Sequence, residues 1–187
     1  MSVKIEQDIF TVPEIESIFR TIFQKENESK WSINKHFWED GIQNKSPGTV
    51  SIFHIEGQLR VLIENVLKKY LEPGEVFQHV QYYEWNPLSQ INWHSDSHVK
   101  AAITVYLNET WNPNDGGLFC WQESAEKAHL TVPQFNTAVI VRDHPPHHVT
   151  LINPSAPTRK TLQIWIVEAQ GPRAWQPLPL APVLEEP

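Results

Sequence analysis

With a single cysteine, Cys120, the chain has no intramolecular disulfide and no cysteine-rich metal site. Basic residues are also few. The 15 Lys and Arg face 22 Asp and Glu for a net charge of −7, and the longest basic runs are the dipeptides Lys68-Lys69 and Arg159-Lys160. A duplex nucleic acid is normally met by a basic stripe, so no nucleic-acid partner is expected. No apolar run approaches the ~20 residues that span a bilayer, and Met1 to Asp8 do not read as a secretory signal. The expectation is a soluble, cytoplasmic protein with no membrane partner.

What is present suits one globular domain. The 187 residues, 40% apolar and 20% charged, suffice for a core without a disulfide or a structural zinc. We read residues 1–170 as a single domain, helical over 1–75 and β over 76–168, followed by a proline-rich tail at 171–187. Thr11-Val12-Pro13-Glu14 is a capping box. Behind it Ile15, Ile18, Phe19, Ile22 and Phe23 share one helical face. A second stripe, Leu59, Leu62, Ile63, Val66, Leu67 and Tyr70, predicts a helix over 58–71 that Pro73-Gly74 stops. Both stripes are read as core packing against a sheet. Between the helices, Trp31 to Gly48 reads as a loop. Its aromatics Trp31, Phe37 and Trp38 serve either as anchors in the core or as a pocket wall. From Val76 onward the pattern is of short strands, over 76–83, 101–107, 118–121, 129–132, 137–141, 149–152 and 161–167, broken by Pro, Gly, Asn and Asp. Such spacing suggests an all-β sandwich or barrel. There is no internal repeat.

His94-Ser95-Asp96 is the triplet that carries chemistry. Side chains alternate along an extended segment, so His94 and Asp96 fall on one side. A third ligand is then needed, and His147 and His148 are about fifty residues further on. The two point to opposite faces of a strand, so only one can join the site. Two histidines and one carboxylate on one face leave positions open opposite, the arrangement that suits iron(II) oxygen chemistry. The triplet alone is weakly specific. His54-Ile55-Glu56 matches the same pattern, but it runs directly into a helix and nothing downstream completes a site around it.

A series of further features follows in order. Tyr106-Leu107-Asn108 ends a strand, Gly116-Gly117-Leu118-Phe119 follows a turn, and Val132-Pro133 precedes an apolar strand through Val141. Then come Pro146-His147-His148-Val149, and Arg159 six residues before Trp165. In this order the sequence resembles the 2-oxoglutarate/iron(II) oxygenase superfamily, within it the prolyl-hydroxylase-like branch and its hypoxia-sensing prolyl hydroxylases. The resemblance covers roughly Val80 to Val167 and does not extend to the tail.

That resemblance implies a mainly β protein: a double-stranded β-helix (jelly-roll, cupin-like) core with supporting N-terminal α-helices. It implies iron(II) on His94, Asp96 and His147, His147 being favoured over His148 by the Pro-His-x-Val pattern. 2-Oxoglutarate and dioxygen are the implied co-substrates, with ascorbate as a possible accessory. Arg159, or Lys160 beside it, would meet the distal carboxylate with Tyr106. Tyr83 matches the tyrosine ahead of the triplet if one extra residue is allowed, and Tyr82 is its neighbour. His98 and His144 are expected in solvent or behind the ligands.

The implied reaction hydroxylates an unactivated C–H, releasing succinate and carbon dioxide, on an amino-acid side chain, free or peptidyl and proline-like. A small natural-product substrate is an alternative, and Trp85, Trp93, Trp111 and Trp121 are candidates for the pocket mouth. Halogenases of the superfamily lack the carboxylate that Asp96 supplies. Its nucleic-acid demethylases carry a second arginine where Trp165 stands. The reading from another class is a non-catalytic cupin-like metal barrel, which has no need of Arg159.

Overall fold

The computed structural model describes residues 2–35 and 48–169. The chain opens with strand β1 (Val3–Glu6) and helix α1 (Val12–Ile22). The Glu14 carboxylate accepts from the Thr11 backbone N–H at 2.7 Å, as the capping box predicts. Strands β2 (Trp31–Lys35) and β3 (Thr49–His54) follow, then helix α2 (Gly57–Leu67), whose last turn tightens over Lys68–Tyr70. Next come β4 (Glu75–Trp85), β5 (Ile91–His94), β6 (Ala101–Tyr106) and β7 (Phe119–Ser124). The described chain closes with β8 (Lys127–Thr131), β9 (Thr137–Arg142), β10 (His147–Val149) and β11 (Arg159–Glu168).

Two antiparallel sheets result, in the order β1-β9-β6-β11-β4-β3-β2 and β5-β10-β7-β8. The larger sheet is two-sided in its chemistry. Its outer face carries Ile103, Val105, Leu162, Ile164, Val80 and Tyr82, and α1 and α2 cover it with Ile15, Ile18, Ile22, Leu59, Ile63 and Leu67. Each fully buried aliphatic side chain there contributes about 1.5–3 kcal/mol. The inner face looks toward the smaller sheet, with apolar clusters at both ends: Val50, Ile52 and Trp85 at one, Val3, Val139 and Val141 at the other.

The N-terminal part is less helical than its sequence suggests. β1, β2 and β3 all join the large sheet, and Trp31–Lys35 is an edge strand where a loop is expected. Trp31 packs on Tyr82 at 5.8 Å and on Phe53 at 5.6 Å, so it anchors the helix-side core and does not wall a pocket. Phe37, Trp38 and the tail at 171–187 lie outside the described residues. The strand expected over 149–152 instead runs from His147 to Val149, because its partners are β5 and β7; Ile152 makes only a single bridge, to Gly116.

One contact ties the chain's beginning to its later half. Asn136, in the left-handed region at φ 55°, accepts from the Phe10 N–H at 2.9 Å and donates to the Phe10 carbonyl at 2.7 Å. Asn136→Ala leaves both buried backbone groups unpaired at a backbone angle alanine disfavours. A loss of about 2–6 kcal/mol is expected from the two orphaned groups at about 1–3 kcal/mol each, measured as the shift in urea unfolding.

Candidate active site

The two histidines meet because of strand register. β10 and β5 pair antiparallel with His147 directly opposite His94, and Asp96 lies two residues beyond the end of β5. The His94 Nε2 is 3.6 Å from one Asp96 oxygen and the His147 Nε2 is 3.4 Å from the other. One donor atom from each of the three residues falls within 4.8 Å of the others. Nitrogen and oxygen donors at about 2.0–2.2 Å from a common ion would be spaced in this way. The donor set of two imidazoles and one carboxylate therefore fits an iron(II) ion with open positions.

Backbone carbonyls aim the candidate ligand nitrogens. His94 Nδ1 lies 2.7 Å from the Asn92 carbonyl, and His147 Nδ1 lies 2.9 Å from the Pro145 carbonyl. Each Nδ1 is thereby the donor, which leaves the Nε2 lone pair free for a metal. Neither carbonyl is visible as a motif, since every residue carries one. His144 Nδ1 adds a contact of 3.0 Å to the Asp96 carbonyl. Burial alone would raise the Asp96 carboxyl, but His147 and His94 hold it below the usual carboxylate range. Burial pushes His94 down, and His147 beside it adds to the effect. His148 takes the opposite face, its ring 4.3 Å from that of Trp93. Trp93 thus faces away from the cluster. His98 is exposed, 5.7 Å from the Trp165 ring.

Arg159 begins β11 and is 3% exposed, far from a surface position. Its guanidinium carbon sits 5.0 Å from the centre of the Tyr106 ring. Burial lowers the affinity of Arg159 for its proton, against an opposing pull from Tyr106; burial raises Tyr106, against an opposing pull from Arg159. Among the described residues no carboxylate comes within ion-pairing distance of Arg159. Its Nε and the Tyr106 hydroxyl both lack a hydrogen-bond partner there. A buried guanidinium nitrogen and a buried hydroxyl left without partners are costly unless a ligand completes them. A carboxylate fits that gap.

Tyr83 shares this inner face, directly opposite Thr161, which in turn is opposite Tyr106. Its hydroxyl proton goes to Gln81 Oε1 at 2.7 Å, so it is not available to a carboxylate. Tyr82 points the other way, into the helix-side core, and donates to Glu84 at 3.1 Å. Lys160 also lies outside, over the Phe19 ring.

Family comparison agrees with this geometry. Residues 70–167 match the description "2OG-Fe(II) oxygenase superfamily". The chain belongs to that superfamily. As an oxygenase of this family it is a 2-oxoglutarate-dependent dioxygenase that uses iron(II). No curated protein matches the sequence.

Solved structures resemble the oxygenase at low identity, and therefore in fold. A Pseudomonas putida prolyl-4-hydroxylase is 18% identical with a TM-score of 0.63, covering 89% of this chain and 92% of that one. A Trichoplax adhaerens prolyl hydroxylase, in complex with a hypoxia inducible factor oxygen degradation domain peptide, is 13% identical with a TM-score of 0.66, covering 89% and 84%. HygX from Streptomyces hygroscopicus, with nickel, 2-oxoglutarate and hygromycin B bound, is 10% identical with a TM-score of 0.63, covering 90% and 84%. The jelly-roll core is thus the one expected of the oxygenase. No helix among the described residues is long and apolar enough to cross a membrane.

Two glycines of the oxygenase shape the wall behind Arg159. A Cβ on Gly117, at φ +60°, would stand 3.0 Å from Arg159 Cδ; one on Gly116, at φ +70°, would stand 2.0 Å from the Leu151 carbonyl oxygen. A side chain can shift and a bridged backbone cannot. Gly117→Ala should therefore cost about the 1–2 kcal/mol of left-handed strain, and Gly116→Ala distinctly more. Thermal denaturation of the two variants checks the order.

Proposed function

We propose that His94, Asp96 and His147 hold the iron, that Arg159 and Tyr106 hold the distal carboxylate of 2-oxoglutarate, and that the product is a hydroxylated amino-acid side chain. The observation that carries this reading is the buried Arg159 with its Nε unpaired, beside the Tyr106 ring whose hydroxyl is unpaired. A planar guanidinium suits a carboxylate through its two-pronged geometry, and a non-catalytic barrel gains nothing from burying one. Residues 1–170 act as one oxygenase domain in this reading.

The iron, when bound, supplies the activation of dioxygen and the decarboxylation of the co-substrate. The protein's own groups do the placing. The Asn92 and Pro145 carbonyls keep both imidazoles in the tautomer that offers Nε2. Arg159 and Tyr106 supply charge-assisted hydrogen bonds to the co-substrate at one end of the chamber. Tyr83, with its proton spent on Gln81, forms the wall between that end and the iron ligands and helps to keep water out. An amino-acid side chain as substrate is supported by the likeness to the Pseudomonas and Trichoplax prolyl hydroxylases. The likeness to HygX supports the second reading, a polar natural product.

Anaerobic addition of iron(II) and 2-oxoglutarate should give a visible charge-transfer band, followed in air by succinate release. His94→Ala and His147→Ala should abolish the band, whereas His148→Ala should keep it. Arg159→Ala should raise the 2-oxoglutarate needed for half-saturation roughly 10- to 150-fold, equivalent to the 1.5–3 kcal/mol of a hydrogen bond to a charged group. Iron binding without a band, or a band indifferent to Arg159, would sink the assignment.

A further inference from the structure

The strand register of the large sheet builds a second polar feature next to the co-substrate end. On the inner face, Arg159, Thr161, Gln163 and Trp165 follow one another along β11 at alternate positions. Gln163 lies directly opposite Thr104 on β6 and Gln81 on β4, and Gln81 lies opposite His54 on β3. Four polar side chains thus cross four neighbouring strands in one row, in a face whose two ends are apolar.

The row is internally organised. Gln81 is 6% exposed, and both ends of its amide are engaged. Oε1 accepts from Tyr83 at 2.7 Å and Nε2 lies 3.0 Å from His54 Nδ1. The Thr104 hydroxyl donates to Gln163 Oε1 at 2.7 Å. That bond fixes the Gln163 amide with its oxygen toward β6, and its N–H groups have no partner among the described residues. His54, the half of a false metal motif, is thereby assigned a place: it orients Gln81.

Position along β11 says what the row faces. At about 3.3 Å per residue, Gln163 stands about 13 Å along the strand from Arg159. The intervening row, Tyr106, Thr161 and Tyr83, belongs to the co-substrate chamber. Asp96 is close enough to act on Tyr83, and Tyr83 also interacts with Trp165. His98, two residues after Asp96, reaches Trp165. The iron ligands therefore overlie the sheet between these rows. The Gln163–Gln81 row lies in that interval, between the Thr161 and Trp165 positions, where a substrate carbon would be presented. No carboxylate or ammonium group stands in that row.

Resting on the iron and co-substrate assignment above, we infer that Thr104, Gln163 and Gln81 are specificity-determining residues. They select a substrate side chain with an uncharged hydrogen-bonding group, a carboxamide or hydroxyl, next to the carbon attacked. The Gln163 N–H groups offer the donor for its oxygen. A bare aliphatic side chain would leave those groups unpaired and buried, a penalty that hydrogen-bonding sites use to reject analogues.

The test uses matched N-acetyl amino-acid amides: asparagine and glutamine against leucine, and threonine against valine. Saturation-transfer NMR on the metal-free protein reads binding, and succinate release by the iron-loaded enzyme reads turnover. The polar member of a pair should be favoured about tenfold or more. Gln163→Leu should remove that preference while keeping the thermal midpoint and the 2-oxoglutarate band. Thr104→Val, nearly isosteric, should reduce it in the same direction if Gln163→Leu fails to fold. Preference for the aliphatic members, no response to any polar member in either readout, or a ratio unchanged in both variants overturns the inference. Polar-selective binding by NMR without succinate release would instead retain the row and refute the assignment of the iron and co-substrate residues.

Discussion

Register in the smaller sheet decides whether there is a site at all. His94 and His147 come from segments more than fifty residues apart, and they meet only because β5 and β10 pair with those two residues opposite one another. A slip of one residue exchanges the faces of a strand. In β10 it would bring His148 inward and send the His147 imidazole out; in β5 it would do the same with Trp93 and His94. β10 has only three residues to hold that register, and it is held from both sides, by β5 and by β7. The carbonyls of Asn92 and Pro145 then turn each ring, so backbone geometry alone sets the donors before any metal arrives.

The larger sheet solves a different problem. Its outer face is an aliphatic layer closed by two helices, and that layer bears the stability of the domain. The inner face is released from that duty along its middle rows and can carry Arg159, Tyr106, Gln81 and Gln163, at a cost in desolvation that function repays. The separation follows from the period of two: Tyr82 and Tyr83 are adjacent in sequence, yet one belongs to the core and the other to the chamber.

Residues proposed to act through side chains at fixed order were legible as a series that the fold brings together. The His94, Asp96, His147 and Arg159 series could be found because each has a distinctive chemistry and the intervals between them are those of a known family. The capping box at Thr11 and most strands from Val76 onward were equally readable from local pattern. The N-terminal strands were not. Thr49–His54 does alternate, with Val50 and Ile52 turned inward, but Trp31–Lys35 gains its strand character from β3 and has little of its own. The carbonyls behind the histidines, and the row through Gln81 and Gln163, depend on pairing between distant strands. No local pattern encodes that.

Order along the sheet also differs from order along the chain, with a consequence for how the protein comes into being. β11, the last strand described, is inserted between β6 and β4, while β1, the first, waits for β9 at one edge. A chain emerging from the ribosome therefore cannot complete its main sheet until the segment bearing Arg159 has been made. Until then β4 and β6 expose open edges, the condition under which nascent β proteins are slow to fold and prone to associate. The strand that would hold the co-substrate is also the keystone of the sheet, so biogenesis and competence to react arrive in the same step.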